Sequence, residues 1–150
     1  MRDVPEKCIS NDITTELFCD VACGSAHVLA LTENRNIYVW GLNTKGQLGL
    51  GDIKVRQTPL HMELPNGHEV AKIYAEGHSS ACITKSGQKL LTWGSGKDYR
   101  LMQGNQNNIM IPTYVNNFQD VLVEKFCFTQ SQSLALVHTR LTKVKKNIFI

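Results

Sequence analysis

Cys19, Cys23 and His27 are the first place in this 150-residue chain where side chains of metal-ligating type gather. A strand advances roughly 3.3 Å per residue, so Cys23 and His27 on one strand would stand about 13 Å apart, too far for a single ion. No close cysteine pair supports zinc, and His27 is expected to be buried against a backbone carbonyl. Gly94-Ser95-Gly96-Lys97 has the look of a phosphate-binding loop. The glycine such a loop needs upstream is replaced by Leu91, and Lys97 is followed by Asp98 rather than Ser or Thr. His78-Ser79-Ser80 beside Glu76 or Asp98 offers the residue types of a hydrolytic set, but no nucleophile elbow surrounds either serine. The expectation is no catalytic residue, no metal and no cofactor; the chain does not read as an enzyme.

The elements that hold these residues repeat. Gly24 and Gly77, Trp40 and Trp93, and Pro59 and Pro112 are each separated by 53 positions, whereas Thr32 and Thr84 are separated by 52. The first strand is therefore expected to slip by one residue between copies. A third, degraded copy opens at 126–136, where Leu134-Ala135-Leu136 echoes Leu29-Ala30-Leu31 but Thr129 and Gln132 stand in place of Gly24 and His27. Period-two patterns over 28–32 and 37–41 predict paired strands, with others at 70–75 and 121–128 and a weaker one near 113–116. The polar connection 33–36 is rich in asparagine, which suits the left-handed positions of a hairpin, and Gly87 offers the same freedom in the second copy. Nothing reads as a long helix. Four-strand units of about fifty residues predict an all-β chain of antiparallel β-propeller blades, a partial ring of two to three. The expected divisions are an N-terminal segment 1–19, repeat 1 at 20–66, a diverged repeat 2 at 67–119, a partial repeat 3 at 120–138 and a basic tail at 139–150.

The segment Trp40-Gly41-Leu42-Asn43-Thr44-Lys45-Gly46-Gln47-Leu48-Gly49-Leu50-Gly51-Asp52 is the most distinctive in the chain. Its glycines are too dense for a regular strand or helix and fit a loop pressed against a neighbouring backbone. Asn43 and Gln47 are candidates to satisfy that loop's backbone groups, and Leu48 and Leu50 to anchor it between blades. In repeat 2 the same loop carries Tyr99 and Met102 where repeat 1 has Gly46 and Gly49, and this blade is expected to pack less regularly or to bear a distinctive surface. Trp40 and Trp93, at matched positions, are expected in the core between blades.

This loop, with Gly24-x-x-His27 upstream, closely resembles the GQLGLGD pattern of the regulator of chromosome condensation repeat family, over roughly residues 20 to 138. The structural repeat residues under that resemblance are Gly24, His27, Trp40, Gly41, Asn43, Gly46, Gln47, Leu48, Gly49, Gly51, Asp52, Pro59, Gly77, Trp93, Gly94 and Pro112. The resemblance implies a scaffold with protein partners. Its alternatives are a guanine-nucleotide exchange factor for a small GTPase, or a chromatin-associated protein. A ring in this family needs about seven blades, so continuation in a larger chain, or self-assembly, is expected.

Composition agrees with a globular chain, at 42% hydrophobic and 19% charged. No apolar run is long enough to span a membrane as a helix. Five cysteines without regular spacing suit a reducing, intracellular compartment, cytoplasmic or nuclear. Of 16 basic residues, five (Lys125, Arg140, Lys143, Lys145, Lys146) fall after Glu124, where no acidic residue occurs. Without interleaved aromatics they make a weak footprint for nucleic acid, so direct nucleic-acid binding is disfavoured.

Overall fold

A computed structural model of the chain describes residues 16–86, 88–118, 121–139 and 146–149. Among the described residues, eleven strands form three antiparallel sheets. The first contains β1 (Phe18–Cys23), β2 (His27–Thr32), β3 (Ile37–Gly41) and β4 (Arg56–Met62) in that spatial order. The second repeats it with β5 (Val70–Glu76), β6 (Ser79–Thr84), β7 (Leu90–Gly94) and β8 (Ile109–Tyr114). The third has β9 (Val121–Phe128), β10 (Ser133–Thr139) and β11 (Lys146–Phe149). These are propeller blades: each is a meander, and β6 and β7 of the central blade, covered on both faces, are buried at every position.

Two apolar layers separate the three blades. Leu29, Leu31, Ile37 and Val39 of blade 1 meet Val70, Ile73, Cys82, Leu91 and Trp93 of blade 2. The opposite side of blade 2, through Ala81, Ile83 and Leu90, meets Val123, Phe126, Ala135 and Val137 of blade 3. Successive residues of β6 thus face different blades, as a period of two requires.

Several details differ from what the sequence predicts. The one-residue slip lies in the turn after the strand, where residues 33–36 join β2 to β3 but 85–89 join β6 to β7. His27 pairs with Gly41 and Ser79 with Gly94, so β2 and β6 begin at equivalent points. Cys23 stands opposite Val28 as Ala75 stands opposite Ser80, so the whole first hairpin, and not one strand, is displaced. The weak strand near 113–116 is displaced: β8 ends at Tyr114 and a 3₁₀ turn follows at Asn116–Phe118. In the 33–36 connection the left-handed residue is Arg35 (φ +69°) rather than an asparagine. Thr32 supplies the compensation, its Oγ1 accepting from Asn36 N at 3.1 Å. Lys146, expected in a solvated tail, lies on β11, whose backbone pairs with β10. Gly87, Arg140, Lys143 and Lys145 fall outside the described residues.

Pro59 lies in β4 and Pro112 in β8, the outermost strands of their sheets. A proline has no N–H to donate to a neighbouring strand, and on an edge strand every second residue points that group away from the sheet, so the edge is where proline is tolerated.

Candidate interaction site at the blade junctions

The loop from β3 to β4 is closed by Asn43. Its Oδ1 accepts from Leu48 N at 2.9 Å, and its Nδ2 donates to the backbone and side-chain oxygens of Asp52 at 2.9 and 3.0 Å. Asp52 is held in turn by Arg56 at 2.6 Å, and this bond is the main cause of its lowered carboxyl pKa. Leu48 is fully buried and Leu50 packs beside it. Gly49 has φ +72°, and a Cβ there would lie 2.9 Å from Trp93 Nε1 on the next blade. Gly51 N donates to Met110 O of β8 at 2.9 Å, and Gly46 rests on Met110. The loop of blade 1 is thus clamped onto blade 2.

Gln47 is the centre of this clamp. Its backbone carbonyl accepts from Trp93 Nε1 at 2.9 Å and from Ser80 Oγ at 2.7 Å. Ser80 Oγ is also 2.8 Å from His27 Nε2. Because the serine proton is committed to Gln47, His27 must carry its proton on Nε2 and donate. His27 is therefore joined to a side chain of the next blade and not to the backbone carbonyl the sequence led one to expect. Its Nδ1 is buried without a partner. Burial, then the neighbouring His78, lowers its pKa to about 4. The Gln47 side chain accepts from Lys45 N at 2.8 Å and donates from Nε2 to His78 Nδ1 at 3.2 Å.

The second junction keeps the plan with other residues. Arg100 occupies the place of Gln47, and its carbonyl accepts from Ser133 Oγ at 2.6 Å. Leu101, fully buried like Leu48, is tied by its carbonyl to Thr92 Oγ1 at 2.7 Å. Tyr99 (φ +58°) and Met102 (φ +55°) retain left-handed backbone that glycines supply in repeat 1.

The remaining expected residues are placed as follows. Gly24 lies against the His27 ring, and Gly77 against Arg100. Gly41 and Gly94 end β3 and β7, where a Cβ would run into Ala26 O at 2.5 Å and His78 O at 2.4 Å. Trp93 is fully buried between blades, but Trp40, expected to match it, is only half-buried. No described blade covers its side of blade 1. Cys19 and Cys23 are exposed while His27 is buried, so the three do not converge. Ser79 Oγ donates to Ser95 O at 2.8 Å, and Ser80 is committed to the clamp, so neither serine is paired with His78. Gly96 is packed against Asn107 O, which leaves no open cradle for a phosphate. Ser133 and Arg100 were not singled out from the sequence, and Ser80 was weighed only for a hydrolytic set. The signal was present: Ser80 and Ser133, like Gln47 and Arg100, stand 53 positions apart.

The family model described as Regulator of chromosome condensation (RCC1) repeat matches residues 36–83, and a second model of that description matches 18–47. The human probable E3 ubiquitin-protein ligase HERC3 is 33% identical over 117 residues, covering 78% of this chain and 11% of that protein. Ras guanine nucleotide exchange factor C of Dictyostelium discoideum is 34% identical over 96 residues, covering 64% of this chain and 6% of that protein. The fold resembles yeast RCC1, with a TM-score of 0.72 at 20% identity over 86% of this chain and 31% of that one. The chain spans between 2% and 26% of the lengths of the first curated relatives it matches.

Proposed function

Because the chain belongs to the regulator of chromosome condensation repeat family, we propose that it is a protein-interaction module, an arc of a larger β-propeller used as a regulatory scaffold. The observation that carries this reading is the uncovered flank of blade 1. Val21 pairs with Ala30 on the flank that bears Trp40, and it is 61% exposed. Ile73, which takes the corresponding place opposite Cys82 in blade 2, is 5% exposed. Phe18, packed edge-on to Tyr38, is 45% exposed on the same flank. A monomer seldom leaves such an apolar face to water. Repeats at 20–66, 67–119 and 120–138, in an intracellular compartment, are part of the reading, and catalysis is not. Light scattering coupled to gel filtration tests it. Self-association, or a stoichiometric complex with flanking repeats, is expected; a monodisperse monomer that ignores added repeats overturns it.

A second reading is nucleotide exchange on a small GTPase. Likeness to an exchange factor of the Ras type favours it, and a fold neighbour from Saccharomyces cerevisiae has binding properties to Gsp1p and histones. Release of a fluorescent guanine nucleotide from a panel of small GTPases decides it: acceleration at catalytic protein concentration supports exchange, and unchanged rates across the panel remove it.

A further inference from the structure

The loop 97–104 of blade 2 carries a largely buried arginine whose charge no carboxylate among the described residues meets. Arg100 is 8% exposed. Its Nε donates to Lys97 O at 3.2 Å, and one terminal nitrogen lies against Gly77. No carboxylate among the described residues pairs with it, and its two terminal nitrogens have no acceptor there. Glu76 and Asp98 make no ion pair with it. Neither terminal nitrogen is among the buried atoms left without a partner, so both reach solvent and are free to donate to a ligand, where repeat 1 has the neutral Gln47.

The backbone around Arg100 is held at a cost. Asp98 (φ +57°), Tyr99 (φ +58°) and Met102 (φ +55°) are all left-handed without being glycine. Such residues persist where the surroundings over-determine them, and they gather at binding sites. Here the surroundings are plain: Ser133 fixes the Arg100 carbonyl, Thr92 fixes that of Leu101, and Gln106 Oε1 accepts from Asp98 N at 3.1 Å. The guanidinium is therefore positioned before anything binds, and Tyr99 stands 57% exposed in the same loop. An arginine with spare donors beside an exposed tyrosine is the pairing that dominates protein-interface energetics.

We infer that loop 97–104 is a recognition site for an acidic segment of a protein partner, with Arg100 receiving a carboxylate and Tyr99 flanking it. A single planar guanidinium fork matches one carboxylate, whereas a phosphate dianion calls for more positive charge than this loop gathers. The inference rests on the interaction-module reading and names one of its surfaces.

The test is an NMR titration of the full chain, labelled with ¹⁵N at arginine and glycine, at constant ionic strength. The probe is N-acetyl-glutamate N-methylamide, with the glutamine analogue as control and inorganic phosphate as a separate arm. Saturable shifts of the Arg100 Nε–H and the Gly77 amide, seen with the glutamate probe alone, are expected. The Gly77 shift should be lost in Arg100→Gln, which restores the repeat 1 residue, and in Arg100→Met, which cannot bond as Gln47 does. Linear shifts, shifts shared by arginines in general, or a Gly77 response that survives both substitutions would overturn the inference. Saturation by phosphate at tenfold lower concentration would overturn the carboxylate assignment in favour of a phosphorylated segment. None of these outcomes depends on the uncovered flank of blade 1, whose association is measured separately.

Discussion

His27 shows how much one residue's environment decides. Its folded pKa, about 4, lies below the value of 6.5 for a free imidazole, because burial disfavours the charged ring. An unfolded chain takes up this proton as pH drops through 6.5, and the folded chain does so only near 4. The His27 contribution is therefore complete above pH 6.5 and is lost progressively on acidification, reaching about 3 kcal/mol by pH 4. Urea denaturation at pH 7 and pH 4.5 should show this fall, and it should shrink in His27→Gln. Glycine substitutions should divide sharply. Gly94→Ala would place Cβ 2.4 Å from His78 O at φ +94° and should cost more than about 2 kcal/mol. Gly104→Ala, with nothing within 4 Å and φ +73°, should cost about 1 kcal/mol. Thermal melts of the two variants decide it. Burial of His27 was legible in its place beside an apolar strand. Its partner was not, because that hydroxyl belongs to a strand 53 residues away.

Among elements, the strands were the most legible part. Alternation in 28–32 and 37–41 marks β2 and β3 because every second residue there (Leu29, Leu31, Ile37, Val39) faces blade 2. β8 was harder to see: the polar run Gln103–Asn108 precedes it, and β8 itself is an edge strand that needs only one good face. The left-handed turn at Arg35 was misjudged from composition, since Thr32 rather than an asparagine stabilises it. The two clamps allow a comparison of like with like. Ser133→Ala removes a hydroxyl from a single acceptor and should cost about 1 kcal/mol. Ser80→Ala removes the same bond to Gln47 and also strands the buried His27 Nε2–H, so roughly 2–3 kcal/mol is expected. Denaturation midpoints that place Ser133→Ala below Ser80→Ala would refute this ordering.

For the whole molecule, the two tryptophans report on different surfaces. With Trp93→Phe, emission comes from Trp40 and should be quenched readily by acrylamide; with Trp40→Phe, the emission of buried Trp93 should resist quenching. Equal quenching of both would contradict an open flank on blade 1. A partner seated there should shield Trp40 and leave Trp93 unchanged. The unequal burial could not be read from the sequence, where the two positions look alike. It follows from which blade has a neighbour, a property of the assembly and not of the local pattern.

The clamp loop and the strand that receives it have a bearing on how such a protein grows. The receiving surface of one blade and the loop it offers to the next lie within a single 53-residue interval. A stretch of that length that cuts neither the loop nor its socket carries one half of each contact. Tandem duplication of such a segment brings a socket for the blade before it and a plug for the blade after. The matched repeat at 36–83, which runs from the third strand of one blade to the second strand of the next, spans the Gln47 loop and the Ser80 that bonds it. What is inherited as a unit is the joint between blades, and a change such as Gln47 to Arg100 can alter one joint's surface while its neighbours continue to lock.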